Sequence, residues 1–145
     1  MKLLTVLLVA FLSSGITWLG DFNTATSEAT KEDKLILINF SGSDWCGPCI
    51  RLRKEILESS TFEDYAKDHL VLVRADFPRQ KKNQLDAVQV KRNETLADKY
   101  NPEGKFPFTL LVDKNGKVLK EWDGFPNESP EKFVSDINPI VDANH

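Results

Sequence analysis

Ser43-Asp44-Trp45-Cys46-Gly47-Pro48-Cys49 contains both cysteines of this 145-residue chain. Thiols at this spacing fall within one helical turn, so they can reach each other. A bridge across so short a loop removes little chain entropy and makes a poor staple. Its chemical use lies in opening and closing. Attack on a disulfide requires a thiolate. Pro48 suits the first turn of a helix, where its missing N–H costs nothing. Cys46 is then expected at the helix N-terminus, where unpaired amides and the positive dipole end stabilise a thiolate. Cys49, one turn in, is expected to be more buried and to resolve a mixed disulfide formed on Cys46. A structural disulfide and a metal site are the competing readings of the spacing. Zinc usually takes four ligands, and His69 and His145 are far away in sequence, so no metal is expected.

The surrounding elements must position this pair. Lys34-Leu35-Ile36-Leu37-Ile38-Asn39-Phe40 reads as a buried strand entering the motif. Ile50, Leu52, Ile56 and Leu57 give the following helix an apolar side. Leu70 to Asp76 reads as a second strand and Phe106 to Asp113 as a third. Asn115-Gly116 signals a hairpin into Val118–Trp122. Ser129-Pro130-Glu131 supplies an N-cap, a proline at the first helical position and an acid in the first turn. Phe133, Val134, Ile137, Ile140 and Val141 mark the apolar side of that last helix. Pro139 is expected to kink it or end it early.

Trp45-Cys46-Gly47-Pro48-Cys49 is identical to the active-site pentapeptide of thioredoxins, and the order strand, helix, strand, helix, hairpin, helix is theirs. The resemblance implies an α/β thioredoxin fold, a central mixed β-sheet flanked by helices. It implies a protein-disulfide oxidoreductase with Cys46 and Cys49 catalytic and Trp45, Gly47, Pro48, Asn39 and Pro107 supporting. The implied cofactor is none beyond the redox-active disulfide. Pro107 stands where the family has a cis-proline facing the cysteines, whose neighbouring backbone pairs with substrate as an added strand. Ile16-Thr17-Trp18-Leu19 with Phe22, Ala25 and Ala29 reads as an extra N-terminal strand and helix. Together with Gly42-Ser43-Asp44-Trp45, Asp76-Phe77-Pro78-Arg79 and Asn93 to Tyr100, it resembles a secreted bacterial thioredoxin-like subgroup, over about Ile16 to Val141.

Three positions depart from the family pattern. Asn39 stands where thioredoxins place a buried aspartate that accepts the resolving thiol's proton, and an amide cannot do so. A water, the carboxylate of Asp44 or the leaving thiolate must replace it, and slower deprotonation of Cys49 is expected. Arg74 stands where a lysine is common. It is read either as a charge holding the thiolate or as a solvated strand-end residue. Phe108 follows the proline where a small residue or threonine is usual, and serves either specificity or packing.

Composition sets the outer limits. With 41% hydrophobic and 28% charged residues, the chain suffices for one core rather than two. A net charge of −3 argues against nucleic acid. Arg79, Lys81, Lys82, Lys91 and Arg92 form a basic cluster around an insertion near 77–92, read as a solvated face. Met1-Lys2 and the apolar run Leu3 to Leu12, too short to cross a membrane, read as a signal peptide. The expected division is 1–15 signal peptide, cleaved near Gly15, and 16–145 thioredoxin-like domain. The implied location is periplasmic or secreted. That compartment is oxidising, whereas Gly-Pro between the cysteines resembles the reducing members of the family. The reading is an oxidoreductase that reduces or rearranges disulfides of exported proteins. It is expected to be a monomer, to act on protein disulfide substrates and to draw electrons from a membrane-bound donor. Ile50, Phe106 and Phe108, with Trp45 and Phe125, are candidates for an apolar substrate-binding apron. The alternatives are a non-catalytic binding or chaperone-like module of the same fold, and a dedicated haem-pathway reductant.

Overall fold

The computed structural model describes residues 15–145. The apolar leader expected over 1–15 therefore lies, but for Gly15, outside the described residues. The chain runs β1 (Trp18–Leu19), α1 (Phe22–Glu32), β2 (Leu35–Ser41), α2 (Gly47–Leu52), α3 (Ser60–His69), β3 (Leu70–Asp76), α4 (Ala87–Tyr100), β4 (Phe108–Val112), β5 (Val118–Asp123) and α5 (Pro130–Ala143). The strands form one five-stranded sheet in the order β1-β3-β2-β4-β5. β2 is central, parallel to β3 and antiparallel to β4, and all seven of its residues are buried. This explains its nearly unbroken apolar run, since a strand covered on both faces has no solvent side to alternate with.

Alternation along the strands divides the core in two. Leu35, Leu37, Leu70, Leu72 and Leu111 pack under α2, α3 and α5, against Leu52, Phe62, Phe133 and Ile137. Ile36, Ile38, Phe40, Val73, Phe108 and Leu110 pack on the other face against Ala25 and Ala29 of α1 and Leu96 of α4. The extra N-terminal strand and helix are present, with β1 parallel to β3. Helix starts carry the caps their sequences call for. Asp21, Ser59, Asp86 and Ser129 each accept a backbone N–H from the first turn of α1, α3, α4 and α5.

Three local features differ from the sequence expectation. The helix after Cys49 does not run on regularly: α2 gives way to a π-helical turn over Arg53–Leu57, closed by Glu58 N–H donating to Arg53 O at 2.8 Å. The wider turn lets the adjacent Ile56 and Leu57 both reach the core. α5 continues through Pro139 to Ala143 rather than ending early. A mid-helix proline costs ~3 kcal/mol. Burial of Phe133, Ile137 and Val141 at roughly 1.5–3 kcal/mol each outweighs that cost. The third strand begins at Phe108 rather than Phe106, because Pro107 has no N–H to give the ladder; the Phe106-Pro107 bond before it is cis. The hairpin lies where Asn115-Gly116 places it. The Asp113 carboxylate accepts Asn115 and Lys117 N–H, each at 2.9 Å, and Gly116 takes φ +83°, which favours glycine.

Candidate active site

The site is built where β2 leaves the sheet. After Ser41 the chain folds back on Gly42, whose carbonyl accepts the N–H of Cys46 at 2.9 Å and that of Trp45 at 3.3 Å. The Trp45 indole lies over Gly42 so closely that a Cβ there would sit 2.3 Å from the ring. Only glycine fits. Cys46 is the N-cap of α2, its Sγ accepting the Cys49 N–H at 3.3 Å. The Cys49 Sγ accepts the Gly42 N–H at 3.5 Å. Each sulfur thus faces one backbone donor, an arrangement that favours its charged form. Pro48 lies in the first turn, as its missing N–H requires. Cys46 and Cys49 are joined as a disulfide with Cα atoms 5.2 Å apart. In this form Cys46 is 5% and Cys49 3% exposed, so the expected difference in burial is slight. Gly47 and Pro48 are exposed beside them.

A half-buried aromatic group flanks the motif. Trp45 and Phe77 each meet Phe106 edge-on, at 5.5 and 5.4 Å between centroids. Trp45 Nε1–H donates to the Phe77 carbonyl at 2.7 Å, and Phe77 N–H donates to Ser41 O at 2.8 Å. The segment after β3 is thereby laid across the tryptophan. The Pro107 carbonyl accepts Gly124 N–H at 2.9 Å; Phe106 has no backbone hydrogen-bond partner among the described residues. Ile50 is half-buried on α2, and Phe125 is half-buried with the Arg51 guanidinium 4.4 Å above its ring.

The three departures have definite surroundings. Asn39 is 3% exposed, and its Nδ2 donates to Thr109 Oγ1 at 3.1 Å. Arg74 neighbours Asn39 across β2 and β3, and its guanidinium lies 4.0 Å above Trp18. Burial, then the nearby Arg53, lowers its pKa. It is neither solvated nor hydrogen-bonded at Nη2. Phe108 is 4% exposed and stacks on Phe40 with centroids 6.4 Å apart. That is the packing alternative, and it leaves Phe108 little surface for a substrate.

Asp44, a candidate proton acceptor on sequence grounds, has a different occupation. Its carboxylate accepts the N–H of Arg79 and of Gln80, both at 2.9 Å, and Asn83 Nδ2 at 3.0 Å. The Arg79 and Asn83 bonds hold its pKa below the usual carboxylate value. An ion already fixed by three donors is a poor base. Asp44 instead clamps the loop from Phe77 to Asp86. Asp76 acts similarly one step inward, accepting the Ser43 N–H at 2.9 Å and the Ser43 hydroxyl. Sequence reading missed these contacts because they join residues more than 30 positions apart. Only the excess of polar residues before Trp45 hinted at them. The basic cluster divides: Arg79, Lys81 and Lys82 belong to this loop, whereas Lys91 and Arg92 lie on α4 beside Gly20–Asn23. Among the described residues no cluster of His, Cys, Asp and Glu is arranged to hold a metal.

A thioredoxin-like domain model matches residues 22–137, most of the chain and the whole site. The chain belongs to the thioredoxin-like family. This thioredoxin-like protein is 38% identical over 129 residues to the disulfide bond reductase DsbH of Chlamydia pneumoniae, an alignment covering 89% of this chain and 75% of that one. A solved structure titled DsbH oxidoreductase superposes with a TM-score of 0.79 at 29% identity, over 98% of this chain and 94% of the other. A poplar thioredoxin h shares the fold, with a TM-score of 0.61 at 18% identity over 88% and 97% of the two chains. The thioredoxin fold expected from the pentapeptide is therefore present, and the protein is a thiol–disulfide oxidoreductase.

Proposed function

We propose that this thioredoxin-like protein reduces or isomerises disulfides of exported proteins by a cycle at Cys46 and Cys49. The observation that carries this reading is the placement of the Cys46 sulfur. It caps α2 and receives the Cys49 N–H, and the adjacent Trp45 ring meets Phe106, whose main chain has no backbone hydrogen-bond partner among the described residues. In the reduced protein the Cys46 thiolate attacks a substrate disulfide, forming a mixed disulfide and releasing one substrate thiolate. Cys49 loses its proton and attacks Cys46 Sγ, which releases the second substrate thiol and regenerates the Cys46–Cys49 disulfide. Two electrons pass to the substrate per cycle. Trp45, Gly47 and Pro48 shape the exposed approach, and the Phe106 main chain offers an edge to an extended substrate. Phe106 and Ile50 supply apolar surface. A return of two electrons from a membrane-bound donor completes the cycle, and a monomer suffices for every step. The similarity to a disulfide bond reductase and the apolar leader support the reducing direction and an extracytoplasmic location.

The deciding experiment is the equilibrium redox potential of the pair, measured against glutathione or dithiothreitol with Cys46→Ser as the inactive reference. A value near thioredoxin's, about −270 mV, is expected. A value near about −120 mV, that of a strong oxidant, reverses the direction of electron flow. In parallel, Cys49→Ser is expected to accumulate mixed disulfides with substrate proteins. Binding without such adducts, unaffected by Cys46→Ser, would instead identify a chaperone-like module.

A further inference from the structure

Arg79 occupies a position that the thiol–disulfide cycle does not use. Its guanidinium lies 3.6 Å above the ring of Trp45, the residue preceding Cys46. Its own backbone N–H is fixed by Asp44 at 2.9 Å, and the next amide, Gln80 N–H, is fixed by the same carboxylate at 2.9 Å. The charge is therefore held at the rim of the site from both ends. Two other cations near this rim are matched. Arg51, over Phe125, pairs with Glu55 at 3.2 Å, and Lys105, near Phe108, pairs with Glu103 and Asp123 at 3.3 and 3.4 Å. Among the described residues no carboxylate forms an ion pair with the Arg79 guanidinium; the Asp44 carboxylate is engaged instead by the Arg79 and Gln80 N–H groups and by Asn83 Nδ2. Lys81 and Lys82 follow on the same exposed loop, so three cations lie within four residues of a loop held at its base by the Asp44 carboxylate.

We propose that Arg79 is a specificity-determining residue that receives an acidic side chain flanking the target cysteine of a protein substrate. This rests on the oxidoreductase reading above and adds a substrate class to it. A guanidinium pre-stacked on an aromatic ring keeps its donors in plane and available to a carboxylate, and less side-chain freedom remains to be lost on binding. A substrate strand laid along Phe106 passes Trp45, which touches Phe106 edge-on. The Arg79 guanidinium stacks on that same ring and is the cation this path brings beside the residues flanking the substrate cysteine. Lys81 and Lys82 add attraction at longer range, which steers encounter and weakens with salt.

The test compares three disulfide-linked peptide dimers that differ only in the residues flanking cysteine: Glu, Gln or Lys. Single-turnover reduction by the dithiol form of the full chain is measured, and each rate is divided by that of dithiothreitol to remove intrinsic reactivity. A Glu-over-Gln ratio of roughly five at low salt is expected for one semi-exposed charge pair, falling as salt rises. Arg79→Gln is expected to bring the ratio to about one, and Arg79→Glu to favour the Lys peptide. Lys114→Gln, the same charge loss at the distant hairpin, is expected to leave the ratio in place. A ratio near one in the natural protein, a ratio retained in Arg79→Gln, or an equal fall in Lys114→Gln overturns the proposal. Failure to reduce even the Gln peptide counts against the oxidoreductase reading itself, and this inference falls with it.

Discussion

The two faces of β2 differ most sharply at the end that enters the active site. On the α1–α4 face, Ile36, Ile38 and Phe40 stay apolar to the last residue and meet Val73, Ala75 and Phe108. On the α2–α5 face the series begins with Leu35 and Leu37, then turns polar at Asn39 and Ser41, beside Arg74, Asp76 and Thr109 on the neighbouring strands. The same strand therefore gives rigidity on one side and, over its last three residues, polar side chains on the other, just before Gly42, whose N–H meets Cys49 Sγ. Stability and chemistry are separated by the pleat, so substitutions one residue apart should have different kinds of effect.

The largest effect is expected from the apolar face. Phe40 is fully buried and stacks on Phe108, so Phe40→Ala should cost about 3–5 kcal/mol in urea unfolding. The fraction that remains folded should keep the redox potential of the pair. A potential that moves with stability would show that the two faces are not independent. Gly42→Ala comes next. It adds a Cβ against the Trp45 indole and should cost roughly 1–3 kcal/mol through overpacking. It should also shift the Trp45 fluorescence, because the ring is the part that must move. Unchanged emission would place the strain elsewhere.

Asn39→Asp probes the polar face directly. A carboxylate here is buried beside Thr109, and the one cation paired with it across the strands is Arg74. Desolvation at a site only 3% exposed should outweigh the attraction of Arg74 and raise its folded pKa above the ordinary ~3.9. The sign follows: the folded state favours the protonated form, so the variant loses stability as pH rises from about 4 through that raised pKa. A carboxylate of raised pKa three residues before Gly42, whose N–H meets Cys49 Sγ, is also a better base than an amide. Resolution of the mixed disulfide, followed by rapid mixing, should quicken about tenfold or more. No gain in the resolution rate would mean that Asn39 does not limit proton transfer from Cys49.

Much of this contrast was readable from the chain, and the unreadable part has a physical pattern. β3 was legible to the residue, β2 to within one, because period and branching are local signals. The helix N-cap at Cys46 followed from Pro48, and the cis bond at Pro107 from the family resemblance. Phe108 was ambiguous because its role depends on which face of β4 it takes, and register with Phe40 decides that. The role of Asp44 was hidden because its partners, Arg79, Gln80 and Asn83, lie on a loop whose path is fixed by Phe77 meeting Ser41 and Trp45. No local pattern encodes that path. Pro139 reads as kinking α5 or ending it early; it does not end it, because three buried side chains hold the helix down and local propensity does not register them.

Asp44 gives the smallest and most local prediction. Its pKa is lowered by the Arg79 N–H, then by Asn83. A depressed carboxylate stabilises the folded loop above the unfolded value of about 3.8, and that contribution disappears as pH falls through the lower folded value. The Arg79 and Gln80 amide resonances should therefore titrate together below about pH 3.8, while amides of β2 remain still. Asp44→Ala should reproduce the loosened loop at neutral pH. Trypsin cleavage after Arg79, Lys81 and Lys82 should then become several-fold faster with global unfolding little changed, since proteolysis tracks local opening. If Asp44→Ala instead lowered global stability as far as Gly42→Ala, the loop would belong to the core of the polar face. Its arginine would then be fixed by the whole fold and not by one exposed carboxylate.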